Sequence, residues 1–196
     1  MKPNPTRMTR CSVLLALAMI IFVTTDASAQ EGGKFASKGT TELGGSISFQ
    51  STTPVSRGST GDALTILSFQ PFIGYFITDG FELGLNPLGI TSISYFGSSA
   101  TSISIFLAPS YNFQTDRKGI AYPFLEALLG YTSTSNGSTA SGFSWGGRAG
   151  VKLAVTGKGL LNFGVQYLQI TLNREGETER TGTNQFAISA GFTVWL

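Results

Sequence analysis

The chain has no histidine, and its single cysteine, Cys11, lies near its start. Without histidine there is no Ser-His-Asp or Cys-His arrangement. If Cys11 is lost with a leader, thiolate chemistry, soft metal sites and disulfides go with it. Charge is also scarce: Asp, Glu, Lys and Arg make up 12% of the residues, whereas a water-facing surface alone is usually about a quarter or more charged. No hydrophobic run reaches the roughly 20 residues that a membrane helix needs. The stretch "GGRAG", Gly146 to Gly150, is not followed by a helix, so it lacks the geometry of a phosphate-binding loop. The sequence therefore offers no catalytic set, no metal site and no cofactor motif.

What is present begins with a leader. Lys2, Arg7 and Arg10 precede an apolar stretch from Cys11 to Val23, and Ala27-Ser28-Ala29 follows. A basic start, a short apolar core and a small-x-small site read as a secretory signal peptide removed after Ala29. The leader also holds the surplus of positive charge. After Ala29 there are ten basic and ten acidic residues, so the basic isoelectric point does not point to a nucleic-acid partner. Residues 1–29 are read as signal peptide and 30–196 as a single domain.

Beyond Thr40 the apolar residues recur with a period of two, broken by polar, turn-rich stretches. In "ELGGSISFQ" the odd positions Leu43, Ile47 and Phe49 are apolar, while Glu42, Ser46, Ser48 and Gln50 lie opposite. The same parity puts Phe81, Leu83 and Leu85 against Glu82 and Gly84. It puts Ile103, Ile105 and Leu107 against Ser102 and Ser104. It recurs with Phe143, Trp145, Ala149, Val151 and Leu153 against Ser144, Arg148 and Lys152. The stretch Ala63 to Ile77 is apolar on both faces and less decisive. About eight such strands follow one another. Short turns at Asp79-Gly80, Asp116–Gly119 and Gly157–Gly159 alternate with mostly longer polar connections. That alternation is the pattern of an outer-membrane barrel with both termini in the periplasm.

Which face is buried follows from size and charge. The polar face is mostly Gly and Ser with a few ions, which suits a narrow lumen better than bulk water. The other face carries Phe, Tyr, Trp, Leu, Ile and Val, as contact with lipid requires. A soluble barrel or sandwich would reverse this arrangement and expose a charged surface. The fold class is thus all-β: an eight-stranded antiparallel up-and-down transmembrane β-barrel preceded by a cleaved signal peptide. Glu42, Glu82, Glu126, Arg148 and Lys152 are expected inside it as ion pairs. A hairpin centred on Gly137 sets Glu126 opposite Arg148 and leaves Lys152 to a carboxylate on another strand.

The chain closes on "FAISAGFTVWL". Its Phe186, Ile188, Phe192, Val194 and Leu196 share one face, with Trp195 beside them. This ending, together with "PFIGYFITDGFELGL" at Pro71 to Leu85, resembles the small eight-stranded outer-membrane barrels. These are the group of outer-membrane protein X and of the membrane domain of outer-membrane protein A. The resemblance implies that the last strand carries the signal read by the barrel assembly machinery; Leu196 stands where that group usually has a terminal Phe. It also implies a monomer of the bacterial outer membrane, in contact with outer-membrane lipids and lipopolysaccharide. The expected role is non-enzymatic, structural or surface-interacting, through a partner the sequence does not name. A narrow gated channel or carrier for small molecules is the alternative.

Overall fold

The structure, a computed structural model, describes residues 34–56, 59–60, 64–95, 98–114, 120–136, 138–174 and 180–196. The leader, the turn at Asp116–Gly119 and the loop residues Glu175–Glu179 lie outside the described residues. Eight long strands follow in chain order: β1 Thr41–Ser56, β2 Leu64–Thr78, β3 Phe81–Tyr95, β4 Ser98–Asn112, β5 Ala121–Asn136, β6 Ser138–Ala154, β7 Gly159–Arg174 and β8 Arg180–Trp195. A two-residue strand, Ser59–Thr60, folds back on the end of β1. Every long strand pairs antiparallel with its sequence neighbours, and β1 pairs with β8 from Glu42–Trp195 to Val55–Gly182. The sheet therefore has no free long edge, the condition for crossing lipid with strands.

Register fixes the size of the barrel. The ladder from Leu43 runs through Ile73, Leu85, Leu107, Leu129, Trp145, Gln169 and Asn184 and returns to β1 at Thr53, ten residues further along. With a rise of about 3.3 Å per residue and strands about 4.8 Å apart, that offset tilts the strands by about 40°. It leaves a backbone radius of about 8 Å, just wide enough for side chains. The odd-numbered apolar residues of β1 to β7 point outward, except beyond the irregularity at Pro87–Leu88 in β3, where the even-numbered Ile90 does: Phe49 and Leu67 are each 62% exposed. On β8 the parity reverses, and Ile188 is 60% exposed. A belt of this kind, continued by Ile105, Leu125 and Phe163, is stable only against hydrocarbon.

Three local features depart from the simplest reading of the sequence. First, β1, β5, β6 and β8 include Ser/Thr-rich stretches that resemble loops. Their backbones stay in the ladder, as in Thr52–Gln185 and Asn136–Ser138, and threonine favours extended structure. Second, β3 carries a bulge at Pro87–Leu88. It lies beside a register shift against β2 near Pro71. Proline cannot donate to a ladder, so bulged positions suit it. Third, the segment Lys34–Thr40 folds into the end of the barrel that holds the tight turns. Gly80 N donates to Ala36 O at 2.8 Å and Gly39 N to Phe76 O at 2.8 Å, and Phe76 N donates back to Thr40 O at 2.9 Å.

Gly80 is a left-handed residue (φ 78°) in the Thr78–Phe81 turn, and its amide holds the N-terminal segment. A Cβ there would also lie 3.0 Å from Asn112 O. Gly80→Ala is expected to destabilise the folded barrel by about 1–2 kcal/mol. Urea unfolding in detergent micelles measures this, and an unchanged midpoint would contradict the turn geometry.

Candidate functional site: a charged and packed lumen

The inward face begins at the turn end with an aromatic seal. Phe35 stands edge-on to Phe76 (centroids 5.3 Å, 83°) and to Tyr122 (4.8 Å, 76°). Leu160 and Ala36 are buried beside them, and Trp195 packs against the group. Ala36 adopts φ 64°, an unfavourable value for a non-glycine residue. Two bonds to its carbonyl, from Gly80 N and from Gln114 Nε2 at 3.3 Å, hold it there. The sequence reading missed Phe35. Its one signal is an isolated aromatic just ahead of the first strand.

Directly above the seal lies a cluster of three charges. Lys152 Nζ, on β6, donates to Glu42 Oε2 on β1 at 2.5 Å and to Glu82 Oε2 on β3 at 3.2 Å. Both carboxylates are fully buried. Glu42 also accepts a bond from Thr193 Oγ1 at 2.6 Å, and Glu82 accepts from Ser110 Oγ at 3.0 Å and Asn112 Nδ2 at 3.1 Å. The ammonium lies 5.2–5.5 Å from the ring centroids of Phe35, Phe72 and Phe124, close enough for cation–π attraction. The space for Glu82 comes from glycine: a Cβ on Gly74 would run into its carboxylate. Buried charges are tolerable only when paired and hydrogen-bonded, and each of these is both.

One level towards the loop end, Arg148 Nη2 reaches both oxygens of Glu126 at 2.8 Å. The two residues face each other in the β5–β6 ladder. The guanidinium carbon lies 5.8 Å from the Phe124 ring centroid. The structure thus groups the five expected interior charges as a pair and a triad. Above them Phe72, Phe106, Ala108, Leu128, Leu168 and Ile170 form an apolar layer across the lumen. Beyond that layer come hydroxyl pairs such as Thr132–Ser144 at 2.8 Å and Ser102–Thr134 at 3.1 Å. The apolar layer is the largest departure from a Gly- and Ser-lined interior.

The residues of the expected assembly signal lie on β8 and just after it. Phe186, Ile188, Phe192 and Leu196 are exposed to the outside, while Val194 and Trp195 are half-buried. Among the described residues there is no group of three or more His, Cys, Asp or Glu placed to hold a metal ion. What the lumen can do chemically is hold fixed charges in a confined space.

No protein-family model matches this chain, and no curated protein does. Solved structures do match. Neisserial surface protein A is 19% identical, covers 80% of this chain and 99% of its own, and superposes with a TM-score of 0.61. The outer membrane protein OprG of Pseudomonas aeruginosa is 13% identical over 82% of this chain and 97% of its own, with a TM-score of 0.54. The outer membrane protein AlkL, solved in lipid bilayers, is 13% identical over 88% and 96%, with a TM-score of 0.57. The likeness is one of fold: this chain is built as a small eight-stranded barrel of the bacterial outer-membrane type.

The two charge groups make an ordered prediction. Arg148→Met leaves one buried carboxylate without its cation, whereas Lys152→Met leaves two. Losing one partner of a buried pair costs about 3–5 kcal/mol, so Arg148→Met should fall at the lower end of that range and Lys152→Met above it. Glu126→Gln combined with Arg148→Met should cost less than the two single changes added together. Thermal unfolding in detergent checks both statements. Additive losses in the cycle, or equal losses for the two Met variants, would contradict the pairing.

Proposed function

We propose that this chain is a non-enzymatic outer-membrane protein with a structural or surface-interaction role, its barrel serving as a rigid membrane platform. The observation that carries this reading is the filled lumen. The Phe35 seal, the Lys152 triad, the Glu126–Arg148 pair and the Phe106–Leu128 layer follow one another along the axis. An eight-stranded barrel has room for little besides its own side chains. With the interior given over to packing, the parts left to meet other molecules are the outer belt and the loops between the strands.

In this reading the leader is cleaved after Ala29, and residues 30–196 enter the outer membrane through the barrel assembly machinery. The last strand, Phe186 to Leu196, supplies the assembly signal. The belt contacts outer-membrane lipids, and the opposite end reaches the lipopolysaccharide layer. The tight turns face the periplasm. The polar connections β1–β2, β5–β6 and β7–β8, among them the charged stretch Asn173 to Arg180, face the cell surface. The barrel acts as a monomer.

Two measurements test the proposal. Single cysteines at Arg57, Asn136 and Glu177 should label on intact cells, and those at Asp79, Lys118 and Lys158 only after permeabilisation. Purified protein in planar bilayers should give no stable conductance steps. The reverse labelling pattern would overturn the orientation. Regular single-channel steps would replace the platform with the alternative of a narrow gated channel.

A further inference from the structure

We propose that a buried water site joins the Glu126–Arg148 pair to the Lys152 triad and makes the lumenal charges one network. A cavity of about 20 Å³ lies between the two groups, lined by Arg148, Lys152, Glu42, Asn162, Ser189 and Thr193 among others. A water needs about 10–15 Å³ and two to four polar partners. The cavity meets the first condition and is too small for a larger solute.

The second condition is met by atoms that otherwise lack partners. Arg148 uses its Nη2 on Glu126, and its Nε is buried without a hydrogen bond. Asn162 Nδ2 donates to Thr193 Oγ1 at 3.1 Å, and its Oδ1 is buried without a hydrogen bond. One of these atoms is a donor and the other an acceptor, and both residues line the same cavity. A water accepting from Arg148 Nε–H and donating to Asn162 Oδ1 satisfies both atoms and removes the desolvation penalty of each. Its second hydrogen is free for the Ser189 hydroxyl or the Glu42 carboxylate. Charge favours water over an anion. Among the described lumenal residues three carboxylates face two cations, so a further negative charge would be repelled.

With the water in place, a chain of polar contacts runs from Glu126 through Arg148, the water and Asn162 to Thr193 and Glu42. Lys152 and Glu82 continue it to Ser110 and Asn112. It then involves every strand except β2, so the site ties the two halves of the barrel together across the lumen.

The test uses the refolded mature chain in detergent micelles, with ¹⁵N-labelled arginine. The Arg148 Nε–H signal is assigned by its absence in Arg148→Lys. A slowly exchanging Nε–H with a direct dipolar cross-peak to water, of the sign that excludes chemical exchange, is the expected result. A Cβ on Gly164 would lie 3.5 Å from Arg148 Cγ and 3.1 Å from Ala149 O, inside the wall of this cavity. Gly164→Ala, and separately Asn162→Leu, should therefore reduce the cross-peak to background while heat-modifiable migration persists. A slowly exchanging Nε–H without a water cross-peak would overturn the proposal. So would a cross-peak of unchanged intensity in both folded variants, or a bromide-dependent shift of Arg148 that marks an anion in the cavity. The spectrum of the unaltered protein decides the matter even where a variant fails to fold.

Discussion

A single ammonium group, Lys152 Nζ, holds together strands that are far apart in the barrel wall. Its partners sit on β1 and β3, and its own strand, β6, lies across the lumen from them. Neighbouring strands are held by ladder bonds, which are local. A link across the lumen resists flattening of the cylinder, which ladder bonds alone do not. The interaction is worth having only if the site is closed to bulk water and its charges are paired, since an isolated buried charge costs several kcal/mol. Much of the surrounding chemistry follows from that condition. Thr193 donates to Glu42, Ser110 and Asn112 donate to one oxygen of Glu82, the rings of Phe35, Phe72 and Phe124 surround the cation, and Gly74 leaves room for Glu82.

The same strands must satisfy two surroundings. Outside, lipid accepts any bulky apolar residue, and the outer face needs only size and hydrophobicity. Inside, a radius of about 8 Å accepts only certain combinations. A phenylalanine from one strand must meet glycine or alanine from another, as Phe72 meets Gly84 and Phe106 meets Gly130. The inner face is thus a jigsaw of large and small residues, and the charges sit at the level where the aromatic seal keeps bulk water away.

This contrast explains what was legible in the sequence. The outer face is periodic and tolerant, so parity found most of it from Leu43 to Leu196; it failed in the second half of β3, where the bulge at Pro87–Leu88 turns Ile90 outward and shifts the register past Ile93 and Tyr95. Hairpin geometry is local, so the symmetry about Gly137 set Glu126 against Arg148, and the offset of Lys152 left it to other strands. The partners of Lys152 were not legible, because they depend on the ten-residue offset around the closed barrel. Parity also misjudged the interior. Ile66, Phe72 and Phe76 are apolar residues on the inward face of a stretch apolar on both faces, and a period of two has no signal there. Phe35 lies outside any repeat, and only the closed mouth of the barrel gives it a place. The long connections looked polar and loop-like because strands that leave the membrane no longer need an apolar face.

The most direct test of the central claim is the distance from Lys152 Nζ to the two carboxylates with the protein in lipid bilayers. Solid-state NMR dephasing between ¹⁵Nζ-labelled lysine and ¹³Cδ-labelled glutamate measures it, with Lys152 assigned by comparison with Lys152→Arg. The account predicts strong dephasing of the Lys152 signal that weakens in steps when Glu42→Gln and then Glu82→Gln are introduced. A Lys152 signal without dephasing, exchanging with water like the exposed Lys38, would contradict a charge-braced lumen closed to bulk water.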